Sequence, residues 1–184
     1  MYPQDWVLKY TILPLIPSWM QPNHITLFRF FATPFVILLV VMENYVWGIP
    51  VFLFVAFTDA IDGSLARVRN QITDWGKLYD PLADKLLIGS LVFIIVMKYL
   101  NFYLAIVLIV IEAFFIIGAW WRHKKGKVVQ ADIWGKIKMN LQVLGILFLL
   151  FGLLFQAQEF FSVSAGTFYL AIAFAIISLF SHGI

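Results

Sequence analysis

Four aspartates, Asp59, Asp62, Asp80 and Asp84, lie inside two stretches whose other residues read as membrane-spanning helices. A carboxylate at the centre of a spanning helix costs roughly 2.5 to 3.5 kcal/mol on insertion scales, so four of them demand a compensating cation. Asp59 and Asp62 are three residues apart and Asp80 and Asp84 four apart, which puts each pair on one face of its helix. Two such faces, joined by the polar connection from Val68 to Lys77, make an all-oxygen cage. Carboxylate-rich sites without Cys or His select hard cations, Mg²⁺ or Mn²⁺ before Zn²⁺. Carboxylates this close stay ionised together only when a cation removes their repulsion. The expectation is a two-metal site.

The residues between the carboxylates suit a phosphate ligand. Gly63 and Ala66 leave one face of the first helix almost bare, so a bulky group can approach its backbone. Arg67 follows one helical turn later as a positive fork matched to phosphate oxygens. Gly76 permits a tight turn or a close backbone approach. These features together describe a metal-bound pyrophosphate.

The run D-x2-D-G-x2-A-R-x8-G-x3-D-x3-D is complete as Asp59, Asp62, Gly63, Ala66, Arg67, Gly76, Asp80 and Asp84. It resembles the signature of the CDP-alcohol phosphotransferases. The resemblance implies an integral membrane enzyme, a six-helix homodimer, that moves a substituted phosphoryl group from a CDP-linked donor to an alcohol and releases CMP. It implies Asp59, Asp62 and Asp80 as metal ligands, and Asp84 as general base that also reaches a metal. The CDP pocket would be lined by Asp59, Asp62, Gly63, Ala66, Arg67 and Gly76.

Composition agrees with a membrane setting. The chain of 184 residues is 62% hydrophobic and 12% charged, against about 25% charged in soluble domains. It contains no cysteine, so neither a disulfide framework nor a thiolate metal site is available. The basic residues flank apolar runs and form no soluble basic face, which argues against a nucleic-acid partner.

The expected architecture is an all-α membrane protein of six spans preceded by an amphipathic interfacial helix. Residues 1–21 are too short and too interrupted, by Asp5, Lys9, Pro14 and Pro17, to span. They read as the interfacial segment, with Trp6, Tyr10 and Trp19 at headgroup level. Residues 22–184 form the membrane domain. Its spans are expected at Ile25–Met42, from about Val46 into the motif, Leu78–Met97, Phe102–Trp121, Ile133–Phe155 and Val163–Leu179. Asn23 or Thr26 is expected to cap the first span, and His24 is interfacial rather than a ligand. Arg29 either snorkels to the interface or acts near the nucleotide. Glu112, in mid-span, faces the metal site or pairs with a buried cation such as Arg29 or Lys138. Gln142 is an interhelical hydrogen-bond partner.

The basic stretch from Arg122 to Lys127 continues to Lys136 and Lys138 and reads as a topogenic loop. Arg122, Lys136 and Lys138 are also candidates for recognising anionic headgroups or a phosphorylated acceptor. With six spans, both termini, the motif and almost every Lys and Arg share one side, which the positive-inside rule makes cytoplasmic. The localisation expected is the bacterial inner membrane.

Within the family, the Pro-Asn-x-x-Thr opening, Asp80-Pro81-Leu82-Ala83-Asp84-Lys85 and Gly135-Lys136-Ile137-Lys138 resemble phosphatidylglycerophosphate synthases. These imply CDP-diacylglycerol as donor and sn-glycerol 3-phosphate as acceptor, giving phosphatidylglycerophosphate and CMP, with membrane lipids as further partners. One departure is that Ile111 precedes Glu112, where many such enzymes carry Arg-Glu. A cardiolipin synthase of the same fold is the near alternative. A divalent-cation transporter using the aspartates as pathway ligands is the alternative from another class, but it leaves Gly63, Ala66, Arg67 and Gly76 without a purpose.

Overall fold

The computed structural model of the protein describes residues 3–124 and 133–181. Every regular element among them is helical: α1 (Pro3–Thr11), a 3-10 turn (Leu13–Leu15), α2 (Pro22–Val41), α3 (Tyr45–Val68), α4 (Asp74–Leu91), a π turn (Val92–Val96), α5 (Met97–Tyr99), α6 (Phe102–Lys124), α7 (Ile133–Phe155) and α8 (Gln158–Ser181). Four of these, α2, α3, α7 and α8, are long and apolar enough to cross a membrane. In α6 the apolar run is Phe102–Gly118. The stretch expected as the third span is a helix interrupted by the π turn.

Helix ends follow local chemistry. Glu43, Asn70 and Gln156, just past α2, α3 and α7, take φ of 58°, 53° and 54°. Beside each, the next N–H reaches back to close the helix: Asn44 to Leu39 O, Gln71 to Ala66 O and Ala157 to Gly152 O. This left-handed closure satisfies carbonyls that the helix end would otherwise orphan. The starts are capped by side chains. Asn101 Oδ1 accepts from the N–H groups of Tyr103 and Leu104 at 2.8 and 3.2 Å, and Thr73 Oγ1 accepts from Gly76 N–H at 2.9 Å. At α2 the sequence expectation is corrected. The helix begins at Pro22, whose fixed φ suits the first turn, and the N–H of Gln21 donates to His24 Nδ1 at 3.3 Å. Asn23 and Thr26 lie inside the helix and are used elsewhere.

The chain divides into two compact units, Met1–Leu87 and Ile88–Ile184. In the first, α2 and α3 form an antiparallel hairpin closed by Glu43 and Asn44, with Val36, Val40, Ile49, Phe52 and Val55 buried. The amino-terminal segment packs on the far end of α3, where Leu8, Leu13, Ile25 and Leu65 make a core flanked by Ile12, Ile16, Met20 and Ile61. One face of α1 is therefore buried, while Trp6, Tyr10 and, beyond the helix, Trp19 are exposed.

In the second unit α7 and α8 form an antiparallel hairpin with small residues at the seam. Ser164 Oγ donates to Gly145 O at 2.7 Å, and a Cβ on Gly145 would stand 2.8 Å from Phe168 Cζ. Such close backbone approach is how apolar helices associate without a hydrophobic gradient between them. The same unit buries a polar cluster. Lys138 Nζ donates to Glu112 Oε1 and lies 4.5 Å from the Phe115 ring centroid, and Gln142 Nε2 donates to Glu112 Oε1 at 2.9 Å. Of the partners expected for Glu112 the structure gives Lys138, and Gln142 bridges helices as expected.

Removing one partner of such a pair strands a buried charge. Glu112→Gln or Lys138→Met alone is expected to lower stability by about 3–5 kcal/mol, with Glu112→Leu and Lys138→Met together recovering most of it. Thermal unfolding in detergent checks this, and a double variant no more stable than the weaker single one would contradict it.

Candidate functional site

The first unit brings three of the four motif aspartates to one place, and α2 supplies what holds them. Asp59 and Asp62 project from α3 and Asp80 from α4. Arg29 of α2, wholly buried, spans the first two: Nη1 donates to Asp59 Oδ1 at 2.7 Å and Nη2 to Asp62 Oδ2 at 2.5 Å. One turn earlier on the same face, Thr26 Oγ1 lies 2.5 Å from Asp80 Oδ1 and 3.3 Å from Asp62 Oδ2. A hydroxyl has a single proton. The shorter contact takes it, so Asp62 depends on Arg29. Asp62 is almost completely buried, whereas the Asp59 side chain is 43% exposed. The cluster thus has a closed end and an open end.

Gly76 explains itself by what surrounds it. A Cβ there would stand 3.1 Å from Thr73 Oγ1, 3.3 Å from Asp80 Oδ2 and 3.4 Å from Asn23 Oδ1. Thr73 Oγ1 both caps α4 and donates to Asn23 Oδ1 at 2.9 Å. Any side chain at position 76 would press on the cap and on the Asp80 carboxylate together. Asp84 is buried one turn beyond Asp80 on α4.

Gly63 and Arg67 also act together. A Cβ on Gly63 would lie 3.2 Å from Arg67 Nη1, so the guanidinium folds over the bare helix face. Arg67 forks onto Asp5 of α1, through Nε to Oδ2 at 2.9 Å and Nη2 to Oδ1 at 2.7 Å, and Ser64 Oγ also donates to Asp5 Oδ1 at 2.7 Å. Two residues on, Arg69 donates to the carbonyls of Ile16, Pro17 and Met20 at 2.7, 3.2 and 3.0 Å. Ala66 is half-buried on α3.

Among the described residues no three carboxylates, histidines or cysteines stand at metal-ligand spacing. Arg29 and Thr26 set the separation of the aspartates. The donor chemistry nevertheless fits a hard divalent cation: the acidic groups are all carboxylates, and Arg29 and Thr26 each engage one oxygen of a given carboxylate. Among the described residues Arg29 Nε is buried without an acceptor.

The candidates on the basic stretch belong to the second unit. Lys136 is exposed at the start of α7, and Lys138 is buried against Glu112. The Arg122 side chain lies outside the described residues, as does the stretch 125–132.

Sequence reasoning left Arg29 between two readings and gave no role to Thr73, Asp5, Ser64 or Arg69. For α2 a signal was available, because Thr26, Arg29 and Thr33 recur at three- and four-residue intervals and share the buried face. For Asp5 there was none, since its partners are 59 and 62 residues away.

The chain is similar to known proteins. A family model described as CDP-alcohol phosphatidyltransferase matches residues 19–180. The CDP-diacylglycerol--glycerol-3-phosphate 3-phosphatidyltransferase of Mycoplasma pneumoniae is 29% identical, over 87% of this chain and 83% of its own length. The protein of the same name from Mycoplasma genitalium is 34% identical over 72% of this chain, which spans 61% of that relative. The Bacillus subtilis one is 32% identical over 68% of this chain and 73% of its own.

Arg29→Met would leave two carboxylates without their cation and is expected to destabilise the protein by about 3–5 kcal/mol. Arg29→Lys keeps the charge, cannot bridge both carboxylates as a planar fork, and should fall between. Melting curves in detergent read both, and an Arg29→Met protein as stable as the wild type would refute the role assigned to this bridge.

Proposed function

The chain belongs to the CDP-alcohol phosphatidyltransferase family, and from that premise we propose that it transfers the phosphatidyl group of CDP-diacylglycerol to sn-glycerol 3-phosphate with release of CMP. The observation that carries this reading is the convergence of Asp59, Asp62 and Asp80 beside Arg29, on a complete eight-residue motif. The acceptor is carried over from the activity for which the relatives are named.

In this reading Asp59, Asp62, Asp80 and Asp84 hold Mg²⁺ or Mn²⁺ in a two-metal site. Bound there, the cations would neutralise charge on the pyrophosphate and on departing CMP. Asp84 takes the proton of the acceptor hydroxyl. The hydroxyl oxygen then bonds to the phosphatidyl phosphorus while the bond from that phosphorus to the CMP oxygen breaks, and CMP leaves with the bond's electrons. Arg67 meets the pyrophosphate oxygens over the bare surface of Gly63 and Ala66, and Gly76 keeps the Asp80 carboxylate where it is needed. Arg122, Lys136 and Lys138 remain candidates for the acceptor phosphate on their motif resemblance, with Lys138 already paired to Glu112.

The same reading makes the protein a multi-pass membrane enzyme of six spans. Beside the four long apolar helices, α6 and the stretch from α4 through α5 would supply the other two. The exposed Trp6, Tyr10 and Trp19 suit an interfacial amino-terminal segment. The positive-inside rule puts the catalytic side in the cytoplasm of a bacterial cell, and the family resemblance suggests a homodimer.

The test is CMP release from CDP-diacylglycerol by purified protein, with acceptors offered singly. Release is expected with sn-glycerol 3-phosphate and Mg²⁺ or Mn²⁺, to be abolished by EDTA, and to fall by about 10²–10⁴-fold in kcat for Asp84→Asn, the usual contribution of a general base. Release only with phosphatidylglycerol would replace the acceptor and make the protein a cardiolipin synthase. Divalent-cation flux into vesicles without any CMP release would sink the enzyme reading.

A further inference from the structure

The amino-terminal helix carries one acid, and that acid is bonded to the motif helix. Asp5 is wholly buried. Its Oδ1 accepts from Ser64 Oγ and Arg67 Nη2, each at 2.7 Å, and its Oδ2 from Arg67 Nε at 2.9 Å. A desolvated carboxylate persists only when charge and hydrogen bonds compensate it. Ser64 and Arg67 provide both, so Asp5 is built into the motif helix and is no decoration of a terminal segment.

The geometry of the fork matters more than its existence. Asp5 engages the Nε–Nη2 edge of the guanidinium, which fixes its plane and turns Nη1 over Gly63, 3.2 Å from where a Cβ would be. The arm that brings Asp5 is itself secured. Leu8 packs in the core with Leu65, and Arg69 holds the carbonyls of Ile16, Pro17 and Met20. The Arg67 side chain is 30% exposed, so it is held from beneath while part of it still faces outward.

We propose that Asp5 is a positioning residue for donor binding: from α1 it sets the Arg67 guanidinium over Gly63 in the pose that meets the donor's pyrophosphate. This rests on the reading of Arg67 as the pyrophosphate fork. Arginine in a flexible pocket loses rotamer freedom when it engages phosphate, and a carboxylate that fixes it beforehand removes that loss from binding. The Asp5 carboxylate is wholly buried and bonded to Ser64 and Arg67, while the Arg67 side chain keeps an exposed part.

The experiment compares wild type with Asp5→Asn, Asp5→Glu, Arg67→Ala, Leu8→Ala and the double variant Asp5→Asn with Arg67→Ala. It reads titration of CDP itself alongside KM and kcat for CMP release from CDP-diacylglycerol. Asp5→Asn should raise the Kd for CDP and the KM on the order of tenfold, as expected for a lost preorganised fork, with kcat within about twofold. Asp5→Glu should recover part of this. Asp5→Asn should add nothing once Arg67 is alanine. Leu8→Ala, which loosens the arm by packing while keeping the Asp5 carboxylate, should lower the unfolding midpoint and raise KM less than Asp5→Asn does.

An unchanged or tighter Kd in Asp5→Asn, additive losses in the double variant, or a fall in kcat at constant KM would each overturn the proposal. If Asp5→Asn does not fold, the KM of Asp5→Glu decides, and a wild-type value there counts against it. Wild-type protein that binds CDP and releases no CMP refutes the reaction while the CDP titration still judges Asp5. Protein that binds no CDP refutes both.

Discussion

A guanidinium without solvent contact, joined to carboxylates on the neighbouring helix, is the interaction on which the first unit depends. Separating α2 from α3 in an apolar setting would leave Arg29, Asp59 and Asp62 as uncompensated groups. Thr26 and Asn23, set in advance on the same helix, then meet Asp80 and Thr73. The fold therefore tolerates acidic residues in an apolar setting by giving Asp59 and Asp62 a buried guanidinium and Asp80 a hydroxyl where the three helix segments meet.

The motif helix is held by arginines at both ends of its chemistry. Arg29 approaches the carboxylate end from α2, and Arg67 and Arg69 reach out from the other end to the amino-terminal segment. The two directions differ in kind. The first pairs with carboxylates of the site, whereas the second recruits a distant piece of chain to a helix end whose own carbonyls are closed by the N–H groups of Arg69 and Gln71. A segment of mixed composition thereby acquires a defined place through a few directional bonds and a small apolar core.

What the sequence disclosed and what it hid divide along range. The three- and four-residue spacings of the aspartates, the breaks at Glu43 and Gln156, and the need of Glu112 for a polar setting or a buried cation, Arg29 or Lys138, could be argued from local periodicity and from the cost of a lone charge in a span. The family followed from eight residues of one motif. Hidden were the contacts that need two helices to be placed first. Arg29 could have snorkelled or turned inward, and only packing against α3 decides. Asp5 read as an interruption because a residue's value as a partner depends on what stands opposite, and hydropathy carries no such information. The cap of α2 was misread because Asn23 and Thr26 are good capping residues that the tertiary structure uses for other bonds, while Pro22 sets the start.

The π turn at Val92–Val96 divides the stretch that carries Asp80 and Asp84 from the helix beyond it. A turn closed one residue late inserts a residue into the helix and shifts the faces of the helical residues that follow it, Met97–Tyr99, by about 100° relative to an unbroken α-helix. Hydropathy hardly registers such an insertion, because Val92, Phe93, Ile94, Ile95 and Val96 are all apolar. Relatives of different length at this turn would align without visible penalty and still present different faces past it. Identity along residues 97–99 is consequently a poor guide to which side chains two such proteins turn toward lipid, whereas identity before residue 92 keeps its geometric meaning.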